Sequence, residues 1–130
     1  MINVEIIMPD RIKLERKCDH LVIPGIDGDF GVYEGHTPML TQIRPGVLHI
    51  SYGGKEENYA IHDGFVTVEN DHVLILSERV ESASEIDFKR AEEARERAEK
   101  RLKESSGDID FRRAELAMRR AVTRLNIKKH

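Results

Sequence analysis

Tryptophan is absent from this sequence, and cysteine occurs only once, as Cys18. A single cysteine cannot build a disulfide framework, which is typical of proteins kept in a reducing compartment. No apolar run approaches the ~20 residues that a membrane-spanning helix needs, so we expect no direct insertion into a membrane. The first residues also lack the basic segment and long apolar run of a secretory signal. The composition therefore argues against a disulfide-rich secreted domain and against a membrane span.

The common sequence signatures of catalysis are missing as well. There is neither a Gly-x-Ser-x-Gly nucleophile turn nor a Gly-x-x-x-x-Gly-Lys-Ser/Thr loop to cradle phosphates. The six histidines, among them His130, are scattered without metal-binding spacing, which favours ordinary surface positions. Asp27 and Asp29 flank Gly28 in a predicted exposed loop, where solvated turn aspartates are far commoner than a carboxylate pair that does acid–base work. We expect neither a metal site nor an enzyme.

Charge divides the chain near Ser84. Residues 1–84 carry 7 Lys and Arg against 14 Asp and Glu, whereas residues 85–130 carry 14 against 10. The pattern of apolar residues changes at the same place, from short alternating runs to helical spacing. A chain of 130 residues can form two small domains. The sequence therefore predicts one domain at 1–84 and a second at 85–130.

Residues 1–84 contain about eight short β segments of ~5 residues each, separated by turn signals. The pairs Gly53-Gly54 and Asn70-Asp71 are typical of tight hairpin turns, because these residues tolerate a positive φ. The pattern predicts an antiparallel β-sandwich or flattened barrel. Its predicted core consists of Ile6, Val22, Phe30, Leu40, Leu48, Ile61, Phe65, Val73 and Ile75.

Residues 85–130 contain an internal repeat. The segment 86–92 returns 23 residues later as 109–115, and only Lys89 changes, to Arg112. Each copy is followed by strong helix formers. The segment 104–108 between the copies is typical of a helix stop, a short turn and a restart. The repeat therefore predicts an antiparallel two-helix hairpin.

Small apolar residues form one stripe on each predicted helix. Alanine allows close approach but buries little area, and at ~25 cal/mol per Å² such a seam is weakly held. Arginines flank both stripes, so we expect a hairpin that can open and that can hold a polyanion when folded. The stripes are Ala91, Ala94, Ala98 and Leu102, then Ala114, Ala117, Ala121 and Leu125, and the arginines are Arg90, Arg97, Arg113, Arg120 and Arg124.

A glycine-rich stretch at 22–41 carries a resemblance to a known family. It reads Val22-Ile23-Pro24-Gly25, then Gly28-Asp29-Phe30-Gly31-Val32, then Gly35-His36-Thr37-Pro38-Met39-Leu40-Thr41. Arg44-Pro45-Gly46-Val47-Leu48 and Gly64-Phe65-Val66-Thr67-Val68 follow in the same order as in that family. Over its whole length the chain resembles the epsilon subunit of the bacterial F-type ATP synthase.

The resemblance implies a ten-stranded β-sandwich followed by two helices. It also implies a subunit without catalytic activity, peripheral to the cytoplasmic face of the bacterial plasma membrane. Domain 1–84 would bind the central stalk at the gamma subunit and the ring of c subunits, with Asp29 at the ring contact. The hairpin 85–130 would either fold onto the sandwich or extend along gamma towards the catalytic alpha and beta subunits. In the extended position it would inhibit ATP hydrolysis.

The motif Ile-Asp-x-x-Arg-Ala marks a regulatory ATP site in some bacterial family members. By this resemblance the site residues are Glu81, Ile86, Asp87, Arg90, Ala91, Arg97, Arg120 and Arg124. Guanidinium groups suit phosphate because they form bidentate, charge-assisted hydrogen bonds with it. Asp87 and nearby backbone would bind adenine, although this aspartate can equally be a simple helix cap beside solvated arginines. The resemblance leaves the need for magnesium open.

Two other functions are compatible with a basic helical hairpin. One is a nucleic-acid-binding module, but the arginines alternate with glutamates such as Glu92 and Glu96, and no aromatic side chains line a sheet for base stacking. We therefore expect no nucleic-acid partner. The other is a free-standing ATP sensor, which co-purification with a gamma subunit would exclude.

Overall fold

The computed structural model describes residues 1–104 and 107–127; Ser105 and Ser106 of the predicted interhelical turn, and residues 128–130, lie outside the described residues. In these ranges the chain forms eight strands, a 3₁₀ turn and two α-helices. The elements are β1 (Ile2–Met8), β2 (Arg11–Cys18), β3 (His20–Gly25), β4 (Gly28–Val32), β5 (Met39–Ile43), β6 (Gly46–Tyr52), β7 (Lys55–Glu69), β8 (His72–Ser82), the 3₁₀ turn (Ala83–Glu85), α1 (Phe88–Glu104) and α2 (Asp108–Ile127).

The strands form the predicted β-sandwich, which closes as a flattened barrel. They pair in the order β2-β1-β8-β7-β5-β3-β4, and β6 pairs with β3 and β7. The resemblance implied ten strands, whereas the described residues form eight, because β7 and β8 are long enough to run through both layers. The predicted sheet was antiparallel throughout, but β1 and β8 pair in parallel. The remaining pairs among the described strands are antiparallel.

Strand β7 is kinked at Asp63 and Gly64, which have φ angles of 51° and 149°. A Cβ atom at Gly64 would lie 2.1 Å from the carbonyl oxygen of Leu76, so only glycine fits there. The buried hydroxyl of Ser77 lies 2.6 Å from the carbonyl oxygen of Asp63 and satisfies it where the ladder is interrupted. Before the kink β7 pairs with β6, and after it with β5. The kink therefore carries β7 from one layer to the other.

The two tight turns that the sequence predicts are confirmed. Gly53 and Gly54 have φ angles of 57° and 81°, and Asn70 and Asp71 have φ angles of 50° and 59°. Two successive positive φ angles match the right-handed twist of the flanking strands, which is why such turns suit two-residue hairpins. These turns join β6 to β7 and β7 to β8.

The core lies between the two layers of strands. Two predicted core residues are wrong, since the side chains of Leu40 and Phe65 are 71% and 55% exposed. Side chains alternate between the faces of a strand, and the inward positions of β7 belong to Val66 and Val68. Two further predictions, Val22 and Phe30, are half-buried. The confirmed core residues are Ile6, Leu48, Ile61, Val73 and Ile75.

Helices α1 and α2 form the predicted hairpin, and α2 lies between α1 and the sandwich. Helix α2 contacts strands β6 and β7 of the sandwich, and the side chains of Thr123 and Ile127 on α2 are buried. Neither helix, as far as the chain is described, is long and apolar enough to cross a membrane. The alanine seam is confirmed: Ala91, Ala98, Ala114 and Ala121 are buried, and Ala94, Leu102, Ala117 and Leu125 are half-buried.

The two copies of the repeat occupy different structural positions. Asp87 precedes α1, and its Oδ1 accepts a hydrogen bond from the backbone N–H of Arg90 at 3.1 Å, the geometry of a helix N-cap. In the second copy the helix begins earlier, so Asp110 already lies within the first turn of α2. The side chain of Ile86 is 8% exposed, whereas that of Ile109 is 70% exposed. The first copy of the repeat therefore forms the junction between the two domains, whereas the second copy forms a helix start that is exposed to solvent.

The segment between the domains is fixed to the sandwich by Glu85. Strand β2 contains a bulge at Lys13, because Leu14 pairs with Ile6 and Ile12 pairs with Ile7, which leaves Lys13 without a partner on β1. The ammonium group of Lys13 binds the Glu85 carboxylate. Glu85 also accepts the backbone N–H of Ser82 at 3.0 Å. These hydrogen bonds, chiefly that from Lys13, lower the pKa of Glu85 to about 2.

Candidate functional site

The kink in β7 and the adjoining part of β8 form one side of a cavity beneath α2. The strand register places His62 opposite Arg79 beside the kink. Helix α2 contributes Arg120 and Arg124, which lie one turn apart. The cavity has a volume of about 500 Å³, within the usual range of about 300–1,000 Å³ for ligand pockets. It is lined by His62, Asp63, Glu78, Arg79, Arg120 and Arg124.

Glu81 joins the sandwich to α2 beside this cavity. Its Oε1 accepts a hydrogen bond from Nε of Arg124 at 2.9 Å and lies 3.1 Å from Nε2 of His62. The side chains of Arg124 and Glu81 are only 21% and 18% exposed, so solvent screens the ion pair weakly. Burial by itself raises the pKa of Glu81, but the hydrogen bonds from His62 and Arg124 outweigh it and keep the pKa below its ordinary value. Glu81 therefore stays ionised and ties α2 to β8.

His62 is the most buried side chain that lines the cavity, at 4% exposed. Its Nε2 lies against Glu81, while its Nδ1 has no hydrogen-bond partner in residues 1–104 and 107–127. An unsatisfied buried polar group costs about 1–3 kcal/mol. The domain junction therefore contains one polar atom whose hydrogen-bonding capacity is unused.

The predicted ATP-site residues fall into three groups. The structure brings Glu81, Arg120 and Arg124 together at the junction of β8 and α2. Arg90 and Arg97 are exposed on α1, and neither lines the cavity beneath α2.

The third group occupies structural positions around the start of α1. Asp87 caps the helix, as the alternative interpretation from the sequence had it. Ile86 packs against Ala60 and Ile127, which joins the segment before α1 to the sandwich and to the end of α2. Ala91 is buried in the seam between the helices. These positions place Ile86 and Asp87 at the junction between the sandwich and α1, and Ala91 in the contact between the two helices.

Asp29 lies at the second position of β4, and its side chain is 58% exposed. The sequence indicated a solvated loop carboxylate, but the structure shows an ion pair at the surface. Oδ1 of Asp29 accepts a hydrogen bond from Nη2 of Arg44 at 2.6 Å, and Nη1 of Arg44 donates to the carbonyl oxygen of Gly25 at 2.9 Å. Arg44 therefore holds the carboxylate in one orientation at the tip of the β3–β4 hairpin.

An apolar face covers part of the outside of the sandwich, formed by Ile7, Leu40, Phe65 and Leu76. Phe65 is paired with Leu76 across β7 and β8, and Leu76 with Ile7 across β8 and β1. Leu40, Phe65 and Leu76 are 71%, 55% and 46% exposed. Three large apolar side chains exposed on one sheet face are typical of a surface that another protein covers.

Sequence reasoning missed Arg79 and His62 as members of the cavity. The signal available in the sequence was the charged pair Glu78-Arg79, which follows the apolar run 73–76 of one predicted strand. The part of the chain that the structure describes contains no group of three His, Cys, Asp or Glu placed to hold a metal.

Comparisons with known proteins agree with this architecture. Residues 1–83 match the family model for the ATP synthase delta/epsilon chain beta-sandwich domain, and residues 84–129 match that for the delta/epsilon chain long alpha-helix domain. The "ATP synthase epsilon chain" of Desulforamulus reducens is 35% identical over 100 residues, which cover 77% of this chain and 76% of that relative. The protein of the same name from Caldicellulosiruptor saccharolyticus is 42% identical over 102 residues, 78% of this chain and 74% of the relative.

Solved structures resemble the chain in the same way. A chain in the cryo-EM structure of the Euglena gracilis mitochondrial ATP synthase, which contains OSCP, F1 and the c-ring, has a TM-score of 0.88 at 26% identity. The match covers 99% of this chain and 81% of that one. A chain in the central stalk and c-ring structure of the Tetrahymena thermophila enzyme has a TM-score of 0.56 at 15% identity, covering 65% and 68%, which is a likeness of fold alone.

The molecule is thus a β-sandwich that carries a helical hairpin and has a charged cavity where the two meet. Both parts match domains of one family over nearly the whole chain. The chain belongs to the ATP synthase delta/epsilon chain family. The resemblance and the fold class inferred from the sequence are confirmed.

Proposed function

We propose that this chain is the epsilon subunit of a proton-translocating F-type ATP synthase and sits, without catalytic activity, on its central stalk. The observation that carries the proposal is the apolar face formed by Ile7, Leu40, Phe65 and Leu76. Because large apolar side chains on one sheet face favour burial by a partner, this face supports packing of the sandwich against the gamma subunit. The complex would hold the chain peripherally at the cytoplasmic face of the bacterial plasma membrane.

The second proposed contact is between Asp29 and the ring of c subunits. Asp29 lies at the tip of a hairpin, it is exposed, and Arg44 orients its carboxylate. A similar chain occurs in a Euglena structure that also contains the c-ring. An oriented charge at a protruding tip suits a contact that transmits rotation, because it needs little ordering when it binds.

The hairpin is proposed to be a regulatory arm that either rests on the sandwich or extends along gamma towards the alpha and beta subunits, where it inhibits ATP hydrolysis. Its own seam buries mainly alanines, and at ~25 cal/mol per Å² alanine contributes little stabilisation. The ion pair of Arg124 with Glu81 and the packing of Ile86 and Ile127 with Ala60 of β7 add a few further contacts to the sandwich. Such a limited interface supports two arm positions of similar free energy.

ATP is the proposed regulatory ligand of the folded arm. Arg120 and Arg124 would bind its phosphates from the cavity beneath α2, whereas Arg90 and Arg97, which do not line that cavity, would bind the phosphates from α1. A ligand that binds only the folded arm stabilises it by ~2.7 kcal/mol at one hundred times the dissociation constant, enough to reverse a balanced equilibrium. Falling ATP would then release the arm and prevent wasteful hydrolysis. The remaining proposed site residues are Glu81, Ile86, Asp87 and Ala91.

Calorimetric titration and thermal melting of the isolated chain with ATP test this proposal. The wild type should bind ATP and melt at a higher temperature with it, and the double variant Arg90→Ala/Arg120→Ala should lose that shift. In the assembled enzyme, the double variant should make inhibition of hydrolysis insensitive to the ATP level. Arg119→Ala is the matched control, because Arg119 neighbours Arg120 on α2 but does not line the cavity. A wild type without a shift, or a double variant that keeps it, would contradict the ATP proposal.

A further inference from the structure

One guanidinium group of the cavity comes from the sandwich and not from the hairpin. Arg79 lies on β8, whereas Arg120 and Arg124 lie on α2. Arg124 is engaged by Glu81. The side chains of Arg79 and Arg120 form no ion pair within residues 1–104 and 107–127. Two cations that form no ion pair with any described residue therefore line one cavity, one from the sandwich and one from α2.

Negative charge is present in the cavity as well. Asp63 and Glu78 line it beside the three arginines, and Glu81 is already occupied by Arg124 and His62. Arginine keeps its charge at any physiological pH, so the guanidinium groups of Arg79 and Arg120 are available to bind an anion in this cavity. The carboxylates of Asp63 and Glu78 repel a bound anion, so removing one of these charges should increase the affinity for the anion.

We infer that Arg79 is a phosphate-binding residue of the proposed nucleotide site, so that a bound polyphosphate joins β8 of the sandwich to α2. This inference rests on the proposed function and extends it to a residue of the other domain. A guanidinium group binds two phosphate oxygens in a fixed fork, and a triphosphate is long enough to be shared between arginines on facing elements.

The position of Arg79 also determines what the ligand stabilises. Arginines on α1 and α2 alone would let a polyphosphate close the hairpin without attaching it to the sandwich. Arg79 lies in the same cavity as Arg120 and Arg124 only while α2 is docked on β7. The ligand therefore favours the docked position of the whole hairpin over every position in which α2 has left the sandwich.

Calorimetric titration of Arg79→Ala with ATP, in buffer that contains a magnesium chelator, tests the assignment. The variant should bind ATP roughly tenfold more weakly than the wild type, a loss of ~1.4 kcal/mol. Inorganic tripolyphosphate should lose affinity by a similar factor, because Arg79 binds phosphates and not the base. Lys17→Ala is the control, since Lys17 is an exposed cation on β2 outside the cavity. Wild-type affinity in Arg79→Ala for both probes would overturn the inference.

Glu78 gives a test of opposite sign on the adjacent residue. Because its carboxylate opposes a bound polyphosphate, Glu78→Gln should bind ATP more tightly than the wild type under the same conditions. Weaker binding in Glu78→Gln would overturn the assignment of this cavity as the phosphate site. Both variants alter exposed side chains, and their melting temperatures without ligand show whether they fold normally.

Hydrogen exchange separates this inference from the function on which it rests. ATP should slow exchange of the β8 amides near Arg79 as well as amides of α2, because the ligand contacts both elements. Slowed exchange in α1 and α2 with no change in β8 would overturn the role of Arg79 and leave the ATP-bound hairpin intact. No ATP binding by the wild type would instead overturn the proposed function, and the inference with it.

Discussion

At the scale of single residues, Arg44 shows how a neighbour changes the meaning of a surface carboxylate. An aspartate in a glycine-rich turn is normally a solvated group, and the sequence around Asp29 indicated no more than that. The guanidinium group of Arg44 binds both Asp29 and the carbonyl oxygen of Gly25, so the carboxylate is exposed but oriented. The ion pair between Asp29 and Arg44 should contribute little to the free energy of folding, since exposed ion pairs contribute about 0–1 kcal/mol.

Asp29→Arg should therefore reduce ATP-driven proton pumping by a rebuilt complex while the subunit still folds. The substitution places two guanidinium groups side by side and removes the proposed ring contact. Arg44→Ala should weaken pumping in the same direction, because it frees the carboxylate without removing it. Asp27→Ala, in the same hairpin turn, is the control and should pump normally. Unchanged pumping with Asp29→Arg would rule out Asp29 as a coupling contact.

At the scale of elements, the short 3₁₀ turn determines where the hairpin leaves the sandwich. The turn covers Ala83–Glu85, between the end of β8 and the start of α1. Glu85 is bound by Lys13 of the β2 bulge and by the backbone of Ser82. This turn is thus fixed through a strand that lies far from it in the sequence.

Glu85→Gln should lower the free energy of unfolding at neutral pH but not in strong acid. The pKa of Glu85 falls from 4.5 to about 2 in the folded state, so the stabilisation is fully present above about 4.5 and is lost as pH falls through about 2. Urea unfolding of wild type and variant at pH 7, 4 and 2.5 measures the difference. Because Glu85 is 38% exposed, solvent reduces the effect.

Glu15→Gln, an exposed residue on β2, provides the matched control for this series. The difference in free energy of unfolding between Glu15→Gln and the wild type should change much less across the same pH range. If the difference between wild type and Glu85→Gln were the same at every pH, the Lys13 interaction would not stabilise the folded state.

At the scale of the whole molecule, the two domains differ in how they bury apolar surface. The main core draws its sixteen buried side chains from the strands alone. The hairpin depends on its alanine seam and on a small cluster in which Ile86 and Ile127 meet Ala60 of β7. Stability should therefore be concentrated in the sandwich, and the hairpin should open at lower free energy.

Residues 1–84 should fold without the hairpin. Removal of the hairpin leaves the core between the strands intact, and Glu81 keeps His62 as a partner after Arg124 is lost. Amide hydrogen exchange of the fragment should show protected β1, β7 and β8. A fragment of residues 85–130 should lack comparable protection, because alanine contacts alone stabilise short helices poorly. A 1–84 fragment without protected strand amides would show that the sandwich needs the hairpin.

Local sequence by itself determined the elements and their order. The glycine, asparagine and aspartate pairs predicted two tight turns, because few other residues accept successive positive φ angles. The spacing of alanines predicted which faces of α1 and α2 meet, since a helix repeats every 3.6 residues. Asp87 could be predicted as a cap from its place before a helical run. The resemblance supplied the candidate site residues, but not their mutual arrangement.

Tertiary structure alone decided which surfaces are covered and which distant side chains meet. Strand alternation defines two faces, but nothing local says which of them is buried, so Leu40 and Phe65 were assigned to the core although they lie outside it. Arg79 and Arg120 are 41 residues apart in the sequence, and they line one cavity because α2 packs against the sandwich beside the kink in β7. Long-range pairing of strands and the docking of α2 depend on the packing of the whole domain, which no short segment encodes.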